Sequence, residues 1–219
     1  MPDGGGPAPL GSGLPPRPTP ARRAPVHPLG PGRPEDAPAL ARMQFVAWLE
    51  TYPGAAPGID ERGIREQRGD LLTDEGAARW RTFLDKASHH PHLAFCHVAR
   101  APDGALAAVL CGLREDAAAP EAAANPAPPG PSSESVTLGP MYVLRRAQGL
   151  RIGGRLMDAF LTWAGDAPMR LWVTSSNDRA IRFYRRHGFA PTGAHHLWRD
   201  RLPNIRMARG GGPGDPSAG

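Results

Sequence analysis

Two short stretches of this chain hold residues whose types and spacing can do chemistry. Gln148-Gly149-Leu150-Arg151-Ile152-Gly153-Gly154 stands between a strand-like segment and an amphipathic one. Glycines at such a junction let backbone N–H groups and a helix N-terminus meet an anion directly, where side chains would hold a phosphate away. Downstream, Asn177 and Tyr184 are seven residues apart. That is two helical turns, so both fall on one face. A phosphate-cradling turn followed by a helix bearing a phenol implies a ligand with a pyrophosphate, and a proton donor beside it.

The elements around these residues follow from periodicity. Val136–Leu144 reads as a strand leading into the glycine turn, and Ile152, Leu156, Phe160 and Trp163 mark the helix after it. Leu171–Thr174 is a strand, Asn177 caps a helix running to His187, and Gly188 suits the left-handed residue that ends it. Phe189 begins a further strand and Ile205–Ala208 forms a last one. In the first half, residues 26–29 predict a short strand confined to an edge by Pro25 and Pro28. A helix follows Pro34-Glu35-Asp36, with Leu40, Met43, Val46 and Ala47 as its apolar stripe to about Thr51. A short helix follows Asp60. Thr73 caps a third, which buries Ala77, Trp80, Phe83, Leu84 and Ala87.

Leu93–Ala99 and Ala105–Leu113 read as an antiparallel hairpin. With Asp103-Gly104 as a two-residue turn, residues whose numbers sum to 207 face each other, so Cys96 meets Cys111. In a reducing compartment both stay thiols, as small buried apolar side chains. The fold class is therefore α+β, or mixed α/β, in a single domain over about residues 25–209. Residues 1–24 and 210–219 lack apolar periodicity and read as disordered tails. Residues 115–134, rich in alanine and proline, read as a flexible insertion.

Charge is unevenly distributed. Residues 34–140 hold 15 acidic and 9 basic side chains, whereas residues 141–209 hold 13 basic and 4 acidic. The half with the glycine turn is the basic one, as a polyanionic ligand favours. The arginines are dispersed, with no interleaved aromatics and no helix-turn-helix pattern, which argues against nucleic acid. No run approaches the length needed to cross a bilayer, and the expectation is a cytoplasmic protein, monomeric or homodimeric. His89, His90, His92 and His97 follow no zinc spacing, so no metal site is expected.

The order of elements, with these residues, resembles the GNAT superfamily of acetyl-CoA-dependent N-acetyltransferases, whose fold is a central mixed, mostly antiparallel sheet flanked by helices. The likeness is specific over Met141–Phe189. The family's turn runs Gln/Arg-x-x-Gly-x-Gly/Ala; Gln148 and Gly153 match it, while Arg151 stands where the first glycine is usual. The resemblance implies that Met141-Tyr142-Val143 is the splayed strand whose backbone pairs with the pantetheine arm of acetyl-CoA. In the run Asn177-x-x-Ala180-x-x-Phe183-Tyr184-x-x-x-Gly188-Phe189, it implies that Asn177, with Ala180 and Phe183, contacts the cofactor and that Tyr184 protonates the departing thiolate.

A general base is harder to find. Some members carry a glutamate five residues before the asparagine, where this chain has Trp172. Glu134, just before the strand, is the best-placed carboxylate by sequence. The partners implied are acetyl-CoA and an amine acceptor, a primary amine of a small molecule or peptide. The acidic balance of residues 34–140 points to a cationic one. The competing reading is a non-catalytic module that senses or scaffolds an acyl-CoA.

Overall fold

The computed structural model describes residues 27–57, 59–114 and 135–210. Apart from Gly210, the expected tails lie outside the described residues, as do the 115–134 insertion and its last residue Glu134. Seven strands form one sheet: β1 (Leu29–Pro31), β2 (Ala94–Arg100), β3 (Leu106–Arg114), β4 (Val136–Val143), β5 (Met169–Thr174), β6 (Ala190–Trp198) and β7 (Leu202–Arg209). Their order is β1-β2-β3-β4-β5-β7-β6, antiparallel throughout except between β4 and β5. Helices α1 (Ala37–Thr51) and α3 (Asp74–His89) cover one face, with α2 (Glu61–Arg68) beside them. Helices α4 (Ile152–Ala164) and α5 (Asp178–Arg186) cover the other. This is the mixed, mostly antiparallel sheet with flanking helices that the sequence implies.

Local chemistry explains the boundaries. Asp60 and Thr73 cap α2 and α3 by accepting from the N–H groups of Gly63 (2.7 Å) and Gly76 (3.4 Å). Trp80, Phe83 and Leu84 of α3 are buried against α1 and the sheet, each contributing on the order of 1.5–3 kcal/mol of transfer free energy. In α1 the buried residues are Ala37, Leu40, Ala41, Met43, Gln44, Phe45, Ala47 and Trp48, and the expected Val46 is exposed. Spacings of 1, 4, 7 and 8 from Leu40 fall on one side of a 3.6-residue helix, whereas Val46 lies outside that arc. Gln44 is accommodated in the core because Trp80 Nε1 donates to its Oε1 at 2.9 Å.

Two sequence expectations shift in detail. β1 spans Leu29–Pro31 rather than 26–29, and Pro31 is tolerated because the strand is at the sheet edge. In the hairpin, Cys96 does face Cys111, but not through a two-residue turn. The Gly104 N–H bonds the Ala101 carbonyl and the Ala101 N–H bonds that of Ala105. Pro102-Asp103-Gly104 is therefore a three-residue loop, with Gly104 at φ +83°. A register shift beyond Ala99 then restores the pairing.

Candidate active site

β4 and β5 pair at Val136 with Met169 and at Thr137 with Arg170, and then part. Beyond that fork, Met141–Val143 still pair with β3, while their other edge faces a gap. A cleft of about 1270 Å3 occupies this region, lined by β4, the glycine turn, the start of α4, β5 and α5. A bulge sets which side chains enter it. Leu110 pairs with Met141 but Gly112 with Leu138, so β4 has one extra residue at Gly139-Pro140. Val136 and Leu138 face α4; past the bulge Met141 and Val143 take that face, and Tyr142 turns toward α1.

The glycine turn leads into α4 through two left-handed residues, Gly149 (φ +83°) and Arg151 (φ +58°), the latter being the N-cap residue. Arg151 thus adopts the conformation that glycine takes without a Cβ penalty. Gly153 lies against β4 and α5, where a Cβ would sit 3.6 Å from both Met141 Cε and Phe183 Cε2. A Cβ on Gly154 would meet nothing within 4 Å beyond its own helix among the described residues. The first N–H groups of a helix have no intrahelical partner, and here they open onto the cleft. Gln148 is internal bracing: its Nε2 donates to the Val143 carbonyl at 3.0 Å, and its Oε1 accepts from Arg179. Ile152 is buried, and Leu150 packs on the α4 core without lining the cleft.

On α5, Asn177 caps the helix by accepting from the Ala180 N–H at 3.1 Å. Asn177, Ala180, Phe183 and Tyr184 all line the cleft. Tyr184 is 8% exposed and packs beside Phe189 on the α4–α5 face. It lines the same cleft as Tyr142 and Tyr52, which belong to the α1 face. Burial, reinforced by Tyr142, pushes the Tyr184 phenol well above its usual pKa. Burial raises Tyr52 likewise, with Tyr142 and Tyr184 adding to it. Burial also raises Tyr142, against the pull of the Arg68 guanidinium.

Several cleft residues carry no sequence signal. Tyr52 ends α1, Thr174 ends β5, and Asn204 of β7 pairs with Thr174 across the sheet. Trp172, at the position where some relatives of the resembled family place a glutamate, points to the same face. Only tertiary pairing brings these together. Of the carboxylates, Glu50 and Asp158 line the cleft among the described residues, against seven arginines. Glu50 is engaged, accepting from the Arg145 N–H at 2.7 Å. Four acidic residues of the first half form ion pairs: Glu61 and Glu66 with Arg65 and Arg62, Asp70 with Arg79, Asp36 with Arg100.

Among the described residues no group of three or more His, Cys, Asp or Glu side chains is placed to hold a metal ion. No helix there is long and apolar enough to cross a membrane. Cys96 and Cys111 are free thiols with Sγ atoms 3.6 Å apart.

Comparison with known proteins gives this geometry a family. The fold is similar to that of the PaiA N-acetyltransferase from Thermoplasma acidophilum in complex with coenzyme A: 14% identity, TM-score 0.63, covering 85% of this chain and 99% of that one. It is also similar to a GNAT-family acetyltransferase from Streptococcus pneumoniae (19% identity, TM-score 0.59, 84% and 98% covered). YncA of Salmonella typhimurium, a putative acetyltransferase with its cofactor acetyl-CoA, gives 16% identity and a TM-score of 0.57, with 89% and 99% covered. A search of curated proteins found no match. The model of the Acetyltransferase (GNAT) family matches residues 61–189, a span that holds the fork, the glycine turn and the Asn177–Tyr184 helix. On that match, together with the shared fold, the chain belongs to the GNAT acetyltransferase family.

Proposed function

We propose that the protein transfers an acetyl group from acetyl-CoA to a primary amine of a small molecule or peptide. The observation that carries this reading is the place of Tyr184: a phenol on α5 lining the same cleft as the open edge of β4. The residues present suit acetyl-CoA. Unpaired strand edge along Met141–Val143 fits an amide-bearing pantetheine arm, and the free N–H groups at the start of α4 fit a pyrophosphate. Arg151, Arg155 and Arg179 border that end of the cleft with positive charge.

Acetyl-CoA supplies a thioester carbonyl. The amine nitrogen forms a bond to that carbon, the carbon–sulfur bond breaks, and the sulfur leaves with an electron pair. Tyr184, a neutral phenol at neutral pH, delivers its proton to the departing sulfur. The nitrogen, cationic after attack, loses a proton to water, and water returns one to the phenolate, so that the products are the amide and the free thiol. The reading of Glu134 as base rests on sequence position alone, since it lies outside the described residues.

A non-catalytic acyl-CoA sensor is the second reading, favoured by Arg151 at a glycine position and by the engaged state of Glu50. Calorimetry with acetyl-CoA, beside a free-thiol assay for CoA over a panel of amines, separates the two. Binding with amine-dependent CoA release supports the enzyme. Binding without turnover on any acceptor leaves the sensor ahead, and no binding overturns both.

A further inference from the structure

The α1 face of the cleft contains a donor that nothing among the described residues satisfies. Asn204 is 1% exposed, and it lines the cleft at the open end of β5. The Thr174 hydroxyl donates to its Oδ1 at 3.0 Å, which orients the amide. Its Nδ2 is buried and has no partner. Leaving a buried N–H2 unpaired is costly, and such groups in native proteins are normally matched by an acceptor, which here includes a ligand. Whatever occupies this end of the cleft must bring an oxygen to Asn204.

The charge nearby selects the kind of oxygen. Arg68 is buried between Trp48 and Trp198, its guanidinium carbon 4.7 and 5.6 Å from their ring centroids, and it acts electrostatically on both Tyr52 and Tyr142. Its nearest carboxylate, Asp70, is 3.9 Å away and is held more closely by Arg79. The local sum is positive: the guanidinium groups of Arg68, Arg79 and Arg199 stand against the carboxylate of Asp70. Glu50, which lines the cleft, already accepts from a backbone N–H. The walls are otherwise aromatic: Tyr52, Trp172 and Tyr142.

Resting on the acetyltransferase reading, we propose that the acceptor is an amino acid with an apolar or aromatic side chain, its carboxylate oxygen accepting from Asn204 Nδ2 in the field of Arg68. The amine then faces the fork and Tyr184. This departs from the cationic acceptor that the net charge of residues 34–140 suggests: of those acidic side chains, Asp36, Glu61, Glu66 and Asp70 pair with arginines, and among the described residues Glu50 alone of them lines the cleft.

The test uses the full-length protein with acetyl-CoA and three amino acids, phenylalanine, leucine and methionine, each beside its amide and its decarboxylated amine. Expected is a kcat/KM about tenfold or more higher for the acid than for the decarboxylated amine, with the amide between, since its carbonyl keeps the hydrogen bond and lacks the charge. Asn204→Leu, checked for folding by its melting temperature, should bring acid and amine together. Asn204→Asp, which keeps the shape, should turn the preference toward the amine. Equal rates for acid and amine, or a preference that survives both substitutions, overturns the proposal. If no acceptor turns over, calorimetry of each amino acid with the CoA-bound protein decides it, and absence of binding counts against it. Loss of acetyl-CoA binding itself would instead sink the acetyltransferase reading.

Discussion

Trp48 donates its indole N–H to the Tyr142 hydroxyl at 3.0 Å, joining α1 to β4 beyond the fork. Trp48 is 3% exposed, so removing the acceptor strands a buried donor. Tyr142→Phe is expected to lower stability by about 1–3 kcal/mol in urea unfolding. Combined with Trp48→Phe, part of that loss should return, because the donor goes as well. An unchanged unfolding midpoint in the single variant would show that solvent satisfies the indole.

Tyr184→Phe removes one oxygen and keeps the ring against Phe189. The expected outcome is a fall in kcat of about 100-fold, with acetyl-CoA affinity nearly unchanged. Stopped assays beside calorimetry make the comparison. Equal turnover would assign the tyrosine to packing alone.

Alkaline titration offers a test that needs no substrate. The chain has three tyrosines, and all three are Tyr52, Tyr142 and Tyr184 of this cluster. Each has its pKa raised by burial, so the fold favours the neutral phenols. The stability they contribute is fully present below the unfolded value of about 10 and is lost as pH rises toward their folded values. Tyrosinate absorbance should therefore stay flat past pH ~10 and then appear in one step with loss of the near-ultraviolet circular dichroism. Gradual ionisation in the folded protein would show that the phenols are more open to water than their packing indicates.

Arg151 is the N-cap residue of α4 in left-handed conformation. Arg151→Gly removes the Cβ conflict, worth about 1–2 kcal/mol, and offsets some of it by a more flexible unfolded chain. A net stabilisation of up to about 1 kcal/mol is expected, while Arg151→Ala keeps the Cβ and gains none of it. Calorimetry on the glycine variant then reads the guanidinium: weaker acetyl-CoA binding would mean it contacts phosphate.

The second half of the chain was the more legible. Its caps, glycine turn and strand–helix alternation are local signals, and Asn177, Gly153 and Tyr184 all reach the cleft by local geometry. The hairpin expectation paired Cys96 with Cys111 although its turn has a different length, because two shifts of one residue cancel. Tyr142 was expected to act through its backbone. The bulge at Gly139-Pro140, which gives its side chain a role on the other face, leaves no periodicity to read. Asn204, Tyr52 and Thr174 come from three distant segments and meet only through the β5–β7 ladder and the end of α1. Net charge has the same limit: a sum along the sequence does not say which side chains pair with one another.

Among the described residues the ladder between β4 and β5 has two residue pairs, beside one side-chain bond from Arg170 to Thr137. Mechanically the sheet is two antiparallel ribbons, β1 to β4 and β5-β7-β6, sharing a narrow neck. A strand-like ligand seated in the fork becomes a rung between them, so its loading should stiffen the molecule across the neck as well as fill a pocket. The width of the fork and the rigidity of the sheet are then one variable, and a substitution that pries the ribbons apart far from any ligand atom would be felt first as weaker binding.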